Sequence, residues 1–211
     1  EEGFNETTSV LEKAGIVWSA EDHIGVYETN GVSIGMLSYQ TFNGRYPDLF
    51  TKVPAQVQEA KGLYDIVIVS FHWGDELDYA PNNNQVKLGR LTIDAGADLV
   101  VGHHSHRINP IEKYKDRYIA YSVANFSFAG NTKPQDMSTF ILQVKFNVKD
   151  GETTTAGFRI IPARISSKAD FNDFAPTPFT EQSHIDTVIK VLKSNGKSLE
   201  YAVENYPTEW E

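Results

Sequence analysis

Residues 64–72, YDIVIVSFH, and residues 98–106, DLVVGHHSH, decide the fold. Each is an unbroken apolar run ending in histidine, and such a run is what a strand buried on both faces requires. Between them lies NNNQVKLGRLTIDAGA, residues 82–97, with a cap-like asparagine cluster, apolar Leu88, Leu91 and Ala95 at helical spacing, and Gly96 at the end. The three pieces form a strand–helix–strand unit of about 30 residues, the length of a right-handed parallel crossover. Parallel strands joined by one crossover end on the same edge of the sheet, where open α/β folds place ligands. His72 is therefore expected to meet His103, His104 and His106 in space.

Outward from this unit, apolar strands alternate with helical stretches, which indicates an α/β class. Upstream, Asn5 or Thr7 caps a first helix carrying Val10, Leu11 and Ala14, with Gly15 as its stop. IGVYETNGVSIGMLSYQ reads as a hairpin around Asn30-Gly31, and VPAQVQEAKGLY as a helix with Pro54 in its first turn and Gly62 at its end. Downstream the pattern becomes antiparallel. One hairpin is centred on Lys115-Asp116, a loop follows near Asn131-Thr132, and a second hairpin turns at Asp150-Gly151. Residues 168–180 read as a loop, and EQSHIDTVIKVLKSNG and SLEYAVENY as terminal helices.

The chain has 211 residues, 40% of them hydrophobic and 22% charged, enough for one globular domain with a sizeable core. A formal net charge of −9 argues against a general nucleic-acid role, because phosphate binding needs a basic face. A polyanionic ligand would have to be held by a metal ion or by a few local cations. With no cysteine, disulfides, thiolate metal sites and cysteine nucleophiles are excluded. No apolar run approaches the roughly 20 residues of a membrane span, and no signal peptide opens the chain. The first residue is Glu1 rather than methionine, and helical sequence is already underway there, so a processed or trimmed part of something longer is expected.

Half of the six histidines lie in GHHSH. In an extended segment, positions i and i+2 face one way and i+1 the other. His104 and His106 should then share a side, with His103 turned away. Together with His72 they offer three nitrogen ligands for a divalent metal. Solvated loop histidines are the plainer alternative, but a clustered set at paired strand ends has no packing purpose. Asp75 and Glu76 follow His72, and a carboxylate there can act as acid or base, bind substrate or orient an imidazole. Asp75 suits a solvated loop better. Trp73 reads as packing, and His23 and His184 as structural or surface residues. Ser122 and Asn125 end another strand, where Asn125 bonds a ligand or caps a turn.

VIVSFHWGDEL, IDAGADLVVGHHSH with its following PIE, and YIAYSVANFSF closely resemble the CapA/PgsA-type bacterial capsule (poly-γ-glutamate) synthesis family. The ordered series His-Trp-Gly-x-Glu, Gly-Ala-Asp, Gly-His-His-x-His and Ser-x-x-Asn-Phe carries the resemblance, over most of residues 5–130. Ser105 stands where the family usually has proline, and Val123-Ala124 where it has Leu-Gly. The resemblance implies a calcineurin-like metallophosphatase fold: a two-sheet α/β (α+β) sandwich flanked by helices. Residues 1–165 would be the C-terminal part of that domain, and residues 166–211 a loop and terminal helices packed on it. It also implies that His72, His104 and His106 contribute to a two-metal centre (Mn, Fe, Zn or Mg), with His103 and Glu76 contacting substrate or moving protons and Asn125 binding substrate. The remaining ligands, aspartates, an asparagine and another histidine, belong to N-terminal strands expected upstream of residue 1. Without those strands a sheet edge and an apolar face would be uncovered.

Two functions follow from the resemblance. One is a metal-dependent, phosphoesterase-like hydrolase of a capsule pathway, active when joined to its N-terminal portion. The other is a non-catalytic scaffold that binds the capsule polymer or membrane synthase subunits. Both imply a place on the outer face of the bacterial membrane or the cell surface.

Overall fold

The structure is a computed structural model and describes residues 2–210. Its elements run α1 (Glu2–Lys13), β1 (Gly25–Thr29), β2 (Val32–Gln40), α2 (Tyr46–Lys61), β3 (Ile66–His72), α3 (Asn83–Asp94), β4 (Leu99–His103), β5 (Ile111–Tyr114), β6 (Arg117–Ala120), β7 (Ser138–Lys149), β8 (Glu152–Arg164), β9 (Thr177–Pro178) and α4 (Gln182–Asn195). They build two sheets flanked by helices. The larger sheet has the order β1-β2-β3-β4-β6-β5, and the smaller has β7-β8-β9.

The central unit forms as its apolar runs require. β3 pairs parallel with β2 on one side and with β4 on the other, in a register that sets Phe71 beside Gly102 and His72 beside His103. α3 begins where Asn82 accepts hydrogen bonds from the backbone N–H groups of Asn84 and Gln85, while the Gln85 side chain accepts from the Asn82 N–H. This reciprocal cap satisfies donors that the first helical turn leaves free.

Side-chain alternation sorts β3 into two faces. Val67, Val69 and Phe71 turn towards α2 and α3 and are fully buried, forming one core with Leu49, Val53, Val57 and Leu88. Burying each such side chain contributes about 1.5–3 kcal/mol. On the other face, Leu99, Tyr118 and Ala120 pack against Phe140, Phe158 and Ile160 of the smaller sheet and Val188 and Leu192 of α4. Between the two sheets, Ile68, Val101, Leu142, Val144 and Phe146 line an open apolar groove of about 440 Å³.

Three hairpins turn at the expected dipeptides. Asn30-Gly31, Lys115-Asp116 and Asp150-Gly151 all have positive φ, as tight two-residue turns require. Two helical expectations are corrected. α2 starts at Tyr46 rather than Val53, so Pro54 lies inside the helix and Pro47 occupies its first turn. The buried stripe Leu49, Val53, Val57 and Ala60 holds the longer helix in place. The segment SLEYAVENY is not a helix. The Lys113 N–H donates to the Tyr201 carbonyl (2.9 Å), the Val203 N–H donates to the Ile111 carbonyl (3.0 Å), and the Tyr206 hydroxyl accepts from the Ile111 N–H (3.0 Å). The segment covers the outer edge of β5, and those bonds outweigh its local helical preference.

The first helix also differs in detail. It is already formed at Glu2, and the Thr7 hydroxyl donates back to the Gly3 carbonyl (2.8 Å) instead of capping. Within residues 168–180 the loop is interrupted by β9, which pairs Ala163 with Pro178 and Arg164 with Thr177.

Candidate functional site at the carboxyl edge of the sheet

Gly102 fixes how the site is built. An added Cβ there would lie 2.0 Å from the Tyr121 carbonyl oxygen and 2.3 Å from Nε1 of Trp73. Trp73 is fully buried, stacks on Phe71 at 4.4 Å between ring centroids and donates from Nε1 to that same carbonyl (2.9 Å). The indole therefore braces β3 against the segment after β6, at the edge where the histidines emerge. Trp73 is the packing residue its position suggests.

β4 ends at His103, so strand alternation stops before the second histidine. His104 has φ 101° and His106 φ 56°, both in the left-handed region that non-glycine residues rarely adopt. The chain bends sharply through Ser105, whose hydroxyl donates to the Arg107 carbonyl (2.9 Å). This bend, rather than an extended strand, sets the directions of His104 and His106. The expectation that alternation governs them is corrected on this point.

The rings come together along the edge. His72 and His104 have centroids 4.5 Å apart, and His104 and His106 6.3 Å apart. Phe42 stands edge-on to both His72 (5.1 Å) and His104 (4.8 Å), forming one apolar side of the cluster. His103 is the cross-strand neighbour of His72, so both leave the sheet on the same face.

Asn125 reaches the cluster from the segment after β6. Its amide oxygen accepts from Nδ1 of His106 at 2.7 Å. That bond puts the neutral ring's lone pair on Nε2, the arrangement by which an outer partner orients a ligating imidazole. Asn125 is thus in contact with a site side chain. Ser122 instead holds the turn, its hydroxyl accepting from the Ala124 N–H (3.1 Å).

The surroundings favour the uncharged form of two of these imidazoles, His72 and His103. Partial burial lowers the pKa of His72, followed by repulsion from His104 and His106, while Glu76 acts in the opposite sense. Burial also lowers that of His103, with His72 adding to the effect. A neutral ring is the form that binds a metal or accepts a proton. Glu76 is exposed and shares the lining of a cavity with His106 and Asn125. Asp75 accepts from Nδ2 of Asn82 (2.8 Å) and supports the start of α3. His23 stacks on Trp18 at 3.7 Å, and His184 lies on α4 with its ring 5.1 Å from that of Phe179.

The donor chemistry of His72, His104 and His106 fits a divalent metal: three imidazoles, one of them oriented by an amide. They do not close a ligand set. Among the described residues, no group of three or more His, Asp or Glu side chains is arranged to hold a metal ion.

Two charged residues of the quoted motifs prove to be architectural, a role the sequence reading did not assign. Asp98 is fully buried and accepts from Nζ of Lys61 (2.8 Å), Nε of Arg117 (3.1 Å) and the Val67 N–H (2.9 Å). Glu112, also fully buried, takes both the Nη2 (2.7 Å) and Nε (3.2 Å) of Arg90 and the Tyr121 hydroxyl (2.7 Å). The signal that could have found them is an acidic residue set in or beside an apolar strand, which needs a cation to be buried.

Comparison with known proteins agrees with the motifs. The family described as "Bacterial capsule synthesis protein PGA_cap" matches residues 1–129. The chain is 33% identical over 179 residues to the PGA biosynthesis protein CapA of Bacillus subtilis (strain 168), covering 78% of this chain and 43% of that protein. It is 36% identical over 148 residues to the capsule biosynthesis protein CapA of Bacillus anthracis, covering 69% and 33%. A probable polyglutamine synthesis accessory protein of Mycobacterium tuberculosis (strain ATCC 25618 / H37Rv) is 45% identical over 74 residues, 35% of this chain and 20% of that one. The chain thus spans less than half the length of these relatives. On the family match, which covers well over half of its residues, the chain belongs to the PGA_cap family of bacterial capsule synthesis proteins.

Proposed function

We propose that the chain acts in bacterial capsule biosynthesis as part of a CapA-like protein, and that its histidine cluster contributes ligands to a divalent-metal centre. The observation that carries this reading is the convergence of His72, His104 and His106 on one sheet edge, with Asn125 fixing the orientation of His106. A bound divalent ion would supply Lewis-acid polarisation of a phosphoryl or related oxygen. Imidazole donors suit zinc or iron better than magnesium. His103, beside His72, accepts a proton in this scheme, and Glu76 contacts substrate or relays protons in the cavity next to His106. The metallophosphatase-type arrangement needs further ligands, carboxylates among them, which we assign to the remainder of the longer protein. The capsule role places the protein at the cell envelope; no helix among the described residues is long and apolar enough to cross a membrane.

The test is metal analysis and a phosphoesterase panel on the full-length protein, with His104→Ala plus His106→Ala as the comparison. Bound metal lost from the double variant supports the reading. No bound metal, together with unchanged function in the variant, sinks it.

A second reading is favoured by the open ligand set: a non-catalytic subunit that binds capsule polymer or synthase partners. Capture of synthase subunits that survives loss of His72, His104 and His106 together would support it over catalysis.

A further inference from the structure

Arg107 follows His106 in sequence and is only 7% exposed. Arg45, Arg90, Arg117 and Arg159 each hold a carboxylate, and Arg164 donates to the carbonyls of Ser166 and Ser167. Arg107 pairs with no carboxylate among the described residues. Its Nη1 donates to the His106 carbonyl (2.9 Å), and its guanidinium lies 5.6 Å from the centre of the Tyr79 ring. The Tyr79 hydroxyl, which donates to Asp136 (2.6 Å), also stands close to the guanidinium. Arg107 thus meets only neutral groups directly, slight compensation for a cation so far withdrawn from water.

The same side chain lines a cavity of about 600 Å³ whose wall also includes His106, Asn125 and, on the exposed loop after β6, Lys133. Within that loop the Asn131 side chain accepts from the Lys133 N–H (2.8 Å). The acidic side chain on the lining is Glu76. A planar guanidinium with donors left over, in a cavity whose wall also carries an ammonium and an oriented imidazole, matches the two oxygens of an oxyanion.

We propose that Arg107 and Lys133 form an oxyanion-binding subsite beside His106, taking a carboxylate or a phosphate group of the ligand. Its assignment as a substrate subsite rests on the metal-centre reading, whereas anion binding itself does not. Arg107 is a specificity-determining residue here: it fixes the charged end of the ligand, and the imidazoles face what lies next to it.

The experiment is calorimetric titration of the protein with glutarate in one arm and inorganic phosphate in the other, with EDTA throughout. An amide-shift map by NMR is recorded in parallel. Saturable binding of one anion is expected, with shifts centred on Leu77, Asn131 and Lys133. The tighter arm identifies the group as carboxylate or phosphate. Arg107→Gln with native circular dichroism should lose at least tenfold in affinity, and Lys133→Gln about threefold. Binding of neither anion, shifts centred elsewhere, or unchanged affinity in a folded Arg107→Gln would overturn the proposal. If Arg107→Gln does not fold, the wild-type shift map and Lys133→Gln decide. EDTA keeps the two claims apart. Anion binding that persists in a protein shown to take up no metal removes only the metal centre. Metal uptake without anion binding removes only this subsite.

Discussion

At the scale of single residues, Gly102 and Asn125 carry the most specific roles. Gly102 has no room for a side chain between the Tyr121 carbonyl and the Trp73 indole, and both of those neighbours are fully buried. Gly102→Ala is expected to cost about 3 kcal/mol through overpacking. Urea unfolding would register it as a lower midpoint with an unchanged slope. Asn125 acts on the site rather than on the core. Asn125→Ala removes the acceptor for Nδ1 of His106 and frees the ring to turn. Metal affinity, followed by competition with a chelating dye, should fall about 10- to 100-fold while the melting temperature changes little. A large loss of stability with unchanged affinity would assign Asn125 to the turn instead.

At the scale of elements, buried ion pairs tie neighbouring segments together. Asp98 joins α2 through Lys61, β6 through Arg117 and β3 through the Val67 N–H. Asp98→Ala leaves two cations and an amide without their partner, a loss of about 3–5 kcal/mol measurable by chemical denaturation. Glu21 makes a more exposed connection, from the segment before β1 to α2. Arg45 meets it with two hydrogen bonds of 2.6 Å and Lys52 with one of 2.7 Å. The Arg45 hydrogen bond is the main cause that draws its pKa from the ordinary 4.5 down to about 2. The folded state therefore binds fewer protons than the unfolded state between those values. The contribution is complete above pH 4.5 and is lost as the pH falls through about 2. Salt screens such a pair, so it is worth under about 1 kcal/mol. The stability gap between wild type and Glu21→Gln should shrink from pH 6 towards pH 2.

The same scale shows which elements can be read from the chain. β3, α3 and β4 are legible because unbroken apolar runs and an asparagine cap state their geometry locally. The three hairpins are legible because their turn residues tolerate positive φ. SLEYAVENY is misread because its structure is set by hydrogen bonds to β5, nearly 90 residues away in sequence. α2 is misread at its start because either proline, Pro47 or Pro54, suits a first turn. Only the buried stripe from Leu49 to Ala60 distinguishes them.

At the scale of the molecule, one sheet separates two cores, and the site lies where its central parallel strands end. α1 buries none of its residues in either core, whereas β3 and β4 lie in the middle of the larger sheet. Native-state hydrogen exchange should open α1 first and the central amides of β3 and β4 last. The meeting of His72 with the second histidine group is legible in the sequence, because parallel topology alone brings strand ends together. The turn through His104 and His106 is not, because it depends on backbone outside the strand and on Asn125 approaching from another segment. The central proposal is that these imidazoles contribute ligands to one divalent-metal centre. It is tested most directly by long-range 1H–15N correlation of the histidine rings during titration with Zn2+. The account predicts that His72, His104 and His106 shift together, with His106 responding at Nε2 while Nδ1 stays bonded to Asn125. Shifts confined to His23 and His184, or independent responses within the cluster, would contradict it.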